Sequence, residues 1–374
     1  MEAPEHKNLF DAVAIVGLGL MGGSLALALR RSGFSGRLLG VSSPETIREA
    51  IKRGIVDEGV SYEKLAQAAS KADLIVLSSP IASILEHLKI LGGAGSLLRD
   101  GALVTDVGST KRGVLDAARA LPARVTFIGG HPLCGSERRG VAAADPFLFQ
   151  NAYYVLTPAP DAIGAHVHQL GAFLGLTGAR IVSLSAEDHD RIAATISHLP
   201  QLLAVSLVRF LDDLGPNREH GVHLAAGGFR DMTRIASSPY SVWRDIIRTN
   251  CDVIEGTVQR FLESMRATLR GLKDESLEQA FEQAGRTRAE IPRDSKGFIS
   301  QLWDVLVVVE DRPGMIVEIA EPLASQGINI KDIEVLKVRE GEAGTIRLAF
   351  AARAVAEEAI RTLEAKGLTA RLRE

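Results

Sequence analysis

Val13 to Val16 is a short apolar run, and GLGLMG follows it directly, with glycines at positions 17, 19 and 22. Glycines at this spacing, after a strand and opening a helix, commit the chain to a βα unit shaped to face a pyrophosphate. Gly17 makes the tight turn, Gly19 lets the backbone approach the anion, and Gly22 packs helix on strand. The helix start at Leu20 and Met21 then presents unpaired amides to the phosphate groups. Ala12 to Leu29 holds 18 residues without a charge, close to the lower limit for a membrane span. Four glycines interrupt it, so the reading is a buried strand, a turn and a buried helix.

A second strand is expected at Leu38 to Val41. An acid at its end would grip the adenosine ribose, but this chain has Ser42, Ser43 and Pro44 there. Ser43 suits a helix N-cap with Pro44 at the first helical position. Without a carboxylate the site does not repel a 2′-phosphate, and Arg48 is the nearest base downstream, so both NAD and NADP stay open. Strand and helix signals then alternate through 72–80, 102–110 and VTFIGGHP. Continuous apolar strands imply a parallel sheet covered on both faces. The strand ends Ser79, Pro80 and Asp106 are expected to line the cofactor crevice. Ser109 follows, either as a helix cap or as a site residue. Tyr153 to Thr157 and Ala179 to Ser183 read as closing strands.

Where VTFI runs out, the chain reads GGHPLCGSERRG, Gly129 to Gly140. Ligands in open α/β sheets gather at the carboxyl ends of strands, which is where His131 falls. Pro132 stops the ladder, Gly135 and Gly140 free the backbone, and Ser136 and Glu137 add polar groups beside the imidazole.

From Ser185 the pattern turns helical. SAEDHDRIAATISHLPQLLAVSLVRFLDDLG reads as one long amphipathic helix, with Ser185 and Asp188 spaced like a capping box. Pro200 frees the carbonyl of Ile196 and predicts a kink beside His198, which is either a packed residue or a functional one. In AAGGFRDMTRIA, Arg230 and Arg234 lie four apart on one helical face, where Asp231 offers a structural ion pair as the alternative role. Pro239 to Lys273 reads as a further helix, and 285–301 as a linker. Beyond it the order is βαββαβ, a ferredoxin-like arrangement.

The 374 residues carry 43 Lys and Arg against 46 Asp and Glu, a net charge of −3, so no bulk field recruits nucleic acid or anionic membrane. Two cysteines, Cys134 and Cys251, suggest neither a disulfide framework nor a metal cluster. The first residues lack the basic segment of a secretion signal, and a soluble protein of the reducing cytoplasm is expected.

With HPLCGSERRG, SHLP and GGFRDMTRIA in order, residues 11 to 290 resemble the prephenate dehydrogenase family, oxidoreductases of tyrosine biosynthesis. DRPGMI at 311–316 and GINI at 327–330 make the tail similar to an ACT domain, a regulatory amino-acid-binding module. The resemblance implies an α/β protein: a Rossmann-type doubly wound parallel sheet (1–184), an all-α substrate and dimerisation domain (185–290), and a ferredoxin-like ACT domain (300–374). It implies oxidation of prephenate with loss of carbon dioxide by a homodimer using NAD or NADP. His131 matches the family's catalytic histidine and Ser109 a serine that binds the same substrate hydroxyl. Arg234 matches an arginine that holds a substrate carboxylate; His198, Ser136 and Arg230 match further pocket positions. Tyrosine is the expected effector of the tail, through Asp311, Pro313, Gly314, Met315 and Asn329. Two alternatives stay open: an arogenate dehydrogenase and a non-catalytic amino-acid sensor.

Overall fold

The computed structural model describes residues 9–136, 138–159, 162–272, 276–291, 302–310, 312–337 and 344–373. It divides into two compact bodies, Met1–Leu277 and Glu278–Glu374. Among the described residues the first contains eight strands: β1 Ala12–Val16, β2 Arg37–Val41, β3 Glu58–Val60, β4 Leu74–Leu77, β5 Leu103–Asp106, β6 Thr126–Pro132, β7 Tyr153–Pro158 and β8 Arg180–Ser183. Their order is β3-β2-β1-β4-β5-β6-β7-β8. The reversal at β1 and β4 opens the crevice where a dinucleotide sits in doubly wound sheets. β1, β4 and β5 are wholly buried, because helices cover both faces with separate apolar layers. One layer packs Leu25, Leu29 and Phe173; the other packs Leu65, Ile84 and Leu88.

The sheet is not parallel throughout. β7 runs antiparallel to β6, pairing Gly130 with Leu156 and His131 with Val155. Among the described residues the link between them carries only a short helical turn, Val141–Ala143. A parallel return needs a longer crossover, usually a helix. This reversal pairs the His131 end of β6 with β7, beyond the point where the β5 ladder has ended.

Residues on both sides of position 184 belong to the same body, held by specific polar ties. The Asp245 carboxylate accepts the Ala82 amide at 3.2 Å, and the hydroxyls of Thr110 and Thr249 meet at 2.7 Å. The single long helix expected from Ser185 is subdivided: Ala186–Ala193, a π-helical turn Ala194–His198, then Leu199–Phe210. The wide turn absorbs the carbonyl left over by Pro200, so the distortion precedes the proline. The predicted helix over 239–273 is likewise two, Tyr240–Thr249 and Cys251–Gly271, parted at Asn250. Residues 285–290, expected in a linker, continue the helix Ser276–Glu290.

The second body folds as β9 Trp303–Val309, a helix Met315–Ser325, β10 Asp332–Lys337, β11 Gly344–Phe350, a helix Arg353–Glu364 and β12 Thr369–Leu372. Its antiparallel sheet has the order β10-β11-β9-β12, the expected βαββαβ arrangement. Gly314, at φ +96°, is the N-cap of the first helix, so the turn needs a residue that tolerates left-handed backbone. Met315 faces inward and is buried in the core with Ile319 and Leu323. Asn329 is exposed and precedes β10, which begins at Asp332 instead. Pro313 is exposed in the turn before the helix, and Asp311 lies outside the described residues.

Candidate active site

Two features meet at the carboxyl ends of β1, β4, β5 and β6. The first is a phosphate cradle. Gly17 sits at φ +99°, and a Cβ there would come 2.8 Å from the backbone of Ser78. A Cβ on Gly22 would lie 2.1 Å from the Gly17 carbonyl oxygen, so both positions exclude a side chain. Gly19 meets nothing within 4 Å; a side chain there would fill the space above the first turn. It is also the N-cap of the helix Leu20–Arg31 and brings no side-chain cap. The first-turn amides of Leu20 and Met21 are thereby left for an anion. Ser78 and Ser79 brace the loop by donating to Val16 O, and Ser78 also to Gly17 O. Pro80 starts the following helix. The donor set fits a dinucleotide.

At the end of β2, Ser42 is buried and its amide donates to Val60 O at 3.2 Å. Ser43 is exposed and caps the next helix, accepting the Thr46 amide at 3.3 Å. Arg48 is exposed one turn further on.

The second feature is a cavity of about 770 Å³ whose lining includes Ser109, His131, Ser197 and His198 among apolar residues such as Val155 and Trp243. His131 reaches it from the end of β6. Its Nδ1 lies 2.8 Å from His189 Nε2, and His189 Nδ1 lies 2.8 Å from Asp190 Oδ1. Asp190 also accepts the amides of Lys111 at 2.7 Å and Arg112 at 2.9 Å. Burial works against its charge, but the bonds from His189 and these two amides outweigh burial and hold its carboxyl below the ordinary value. An ionised carboxylate only accepts, so His189 must donate from Nδ1 and accept at Nε2. His131 must then carry its proton on Nδ1. That tautomer leaves the His131 Nε2 lone pair as the one not spoken for within the chain of rings.

Burial first, then the proximity of His189, Lys111 and His198, hold His131 well below the ordinary imidazole value of 6.5. It is a neutral base at cellular pH. His198 is buried, lies 3.4 Å from Asn250 Nδ2 through Nδ1, and sets its ring edge against Trp243. Burial pushes it down to about 4. Ser109 is half-buried and lies before the helix Arg112–Ala118. It does not cap that helix, whose first amide is taken by the Asp190 carboxylate from a separate helix.

Several expected residues fall elsewhere. Asp106 is fully buried beneath the crevice, pairs with Lys111 Nζ, and accepts the amides of Gly108 and Gly130. A carboxylate so enclosed cannot reach a cofactor; it braces β6. Ser136, Arg230 and Arg234 are exposed and lie outside the cavity lining. Ser136 accepts the Arg138 amide at 3.2 Å. No ion pair joins Asp231 to either arginine among the described residues. His189, Asp190, Lys111 and Asn250 were not singled out from the sequence. A signal existed: the buried positions of the first helical stretch are Ala186, His189, Asp190 and Ala193. Those fall on one helical face, so two polar residues occupy an apolar stripe.

Residues 25–183 match the nucleotide-binding domain of prephenate dehydrogenase, 185–284 its dimerization domain, and 303–367 the ACT domain. The Bacillus subtilis prephenate dehydrogenase is 37% identical over 92% of this chain and 93% of its own. The prephenate dehydrogenase from A. aeolicus, solved with hydroxyphenyl propionate and NAD+, superposes with a TM-score of 0.65 at 33% identity, covering 75% of this chain and 98% of that one. A Synechocystis arogenate dehydrogenase gives 0.67 at 31% identity, over 75% of this chain and 99% of its own. With motifs, fold and dinucleotide cradle in agreement, the chain belongs to the prephenate dehydrogenase family of oxidoreductases.

Proposed function

We propose that the protein oxidises prephenate to 4-hydroxyphenylpyruvate with release of carbon dioxide, using His131 as proton acceptor. The observation that carries this reading is the Asp190–His189–His131 chain, which ends in a neutral imidazole at a cavity beside the dinucleotide cradle. Gly17, Gly19, Leu20, Met21 and Gly22 hold the dinucleotide, which when bound supplies the hydride acceptor. His131 Nε2 takes the proton of the ring hydroxyl as the carbon bearing it loses hydride. Ser109 bonds the same hydroxyl and orients it. The ring carboxylate then leaves as carbon dioxide, its bonding pair aromatises the ring, and the proton returns to the phenol oxygen. His189 shares the charge gained by His131, and Asp190 holds His189 in the tautomer that can do so.

Prephenate carries two carboxylates, and the described cavity lining contains no arginine or lysine. The counter-charge must come from outside the lining, and Arg234 is the residue we assign to it, with a planar donor pair suited to a carboxylate. Arogenate would bring an ammonium in place of the keto group. No acid stands in the described lining to receive it, which favours prephenate. NADP is accepted beside NAD, since Ser42 and Ser43 stand where a carboxylate would repel the 2′-phosphate.

Exposed apolar side chains on the helical segment, Ile196, Phe210, Val222 and Leu224 among them, support a homodimer through this region. Tyrosine acting through the ACT domain is the proposed brake. The test is substrate-dependent reduction of NAD or NADP by the purified chain, with carbon dioxide measured in parallel. Prephenate should give equal amounts of both products and arogenate far less. Preference for arogenate would replace the substrate, and no turnover with either would support the sensor alternative.

A further inference from the structure

Lys111 is fully buried and faces the fully buried Asp106. Taking two charges out of water is expensive, and a well-packed apolar pair generally serves stability as well or better. The pair therefore invites a question about what its charges hold. Asp106 Oδ1 accepts the Gly130 amide at 3.1 Å, and Lys111 Nζ donates to the Gly130 carbonyl at 2.7 Å. Gly130, the residue just before His131, is thus clamped at its N–H and at its C=O. This clamp replaces a backbone ladder that has ended, since β5 and β6 pair only as far as Thr105 and Ile128. Glycine is required beneath it: a Cβ on Gly130 would lie 2.5 Å from the Asp106 carbonyl oxygen, and one on Gly129 would lie 3.3 Å from the Lys111 stem.

The other end of the same residue holds the other end of the histidine chain. The Lys111 amide donates to Asp190 Oδ1, the oxygen that binds His189. A closed ring results, running from Lys111 Nζ through Gly130, His131, His189 and Asp190 back to the Lys111 amide.

We propose that Lys111 is a positioning residue for the reaction, its ammonium and its amide fixing the two ends of the His131–His189–Asp190 chain while Asp106 compensates the buried charge. This rests on the reading of His131 as base. The charged and titratable groups around His131 are Lys111, paired with Asp106, then His189 backed by Asp190, and His198 from the helical segment, with Cys134 in the same cavity lining. Lys111 is the cation among them, burial pulling its pKa down and the Asp106 carboxylate pushing it back up, and its charge opposes a proton on His131.

The test uses the full chain with prephenate. Lys111→Met should lower kcat by about 10²-fold, leave the Kd for the dinucleotide unchanged, and move the acid limb of kcat/KM upward toward the ordinary imidazole value. Because that variant leaves Asp106 unpaired, Asp106→Asn/Lys111→Met is made alongside it and should show the same limb shift with a near-normal melt. Wild-type kcat, or a reduced kcat with the acid limb in place, overturns the proposal. Failure of both variants to fold also overturns it, since the pair would then be a folding requirement. His131→Gln separates the two readings. If that variant stays active, the base assignment falls; if it is dead while the Lys111 variants keep the wild-type limb, only the role of Lys111 falls.

Discussion

Two histidines with lowered affinity for protons set the behaviour of individual residues here. His198 ionises only near pH 4 in the folded protein, against 6.5 ordinarily. Above 6.5 neither state binds the proton; between 6.5 and 4 the unfolded chain binds it and the folded one does not. Stability is therefore full above the ordinary value and is lost as pH falls, by up to about 3 kcal/mol from this group. His131 acts in the same direction. Melting temperature should drop between about pH 7 and 4.5, and His198→Gln should flatten the drop; an unchanged slope would show that His198 is not buried neutral. Arg234 poses a different question, because the sequence allowed a structural ion pair with Asp231. Its exposure, and the absence of such a pair among the described residues, argue against that role. Arg234→Gln should raise KM for prephenate by the loss of a charge-assisted contact, about 1.5–3 kcal/mol or roughly 10-fold and upward. Melting temperature and cofactor affinity should not change. A collapsed melt with unaltered KM would restore the structural role.

At the scale of elements, the parts legible in the sequence were those governed by local rules. The glycine turn at 17–22, the Ser43 cap with Pro44, and the Ser185 cap accepting the Asp188 amide all follow from spacing that neighbouring residues decide. The misread parts depend on partners distant in the chain. Nothing local shows that β7 returns antiparallel, or that Asn250 parts two helices in order to donate to Asp190 O at 3.0 Å. Asp106 looked like a crevice residue because strand ends usually are; Lys111, five positions on, turns it inward. Likewise His189 and Asp190 were not singled out from the sequence, and the packed fold shows them buried on one helical face with Ala186 and Ala193. The end of β2 carries its own prediction. Ser42→Asp should shift the cofactor preference toward NAD by placing a charge against the 2′-phosphate, as measured by the ratio of kcat/KM values. A wild type that cannot use NADP at all would refute the role given to Ser42.

At the scale of the whole molecule, one chain joins a catalytic body to an ACT domain, and binding coupling between them must be reciprocal. Tyrosine should weaken prephenate binding to the full chain, with a coupling of about 1–3 kcal/mol, and prephenate should weaken tyrosine binding equally. Pro313→Ala together with Gly314→Ala, which burdens the left-handed N-cap, should abolish the effect and leave uninhibited turnover intact. Equal inhibition of that variant would place any tyrosine effect at the active site. Whether the half-buried, neutral His131 is the base is decided by the pH dependence of kcat/KM for prephenate in wild type and His131→Gln. Wild type should show a plateau through neutrality with its acid limb well below 6.5, and the variant should fold, bind dinucleotide, run slower by about 10²–10⁴-fold and lack the limb. A variant that keeps wild-type activity and the same acid limb would contradict it.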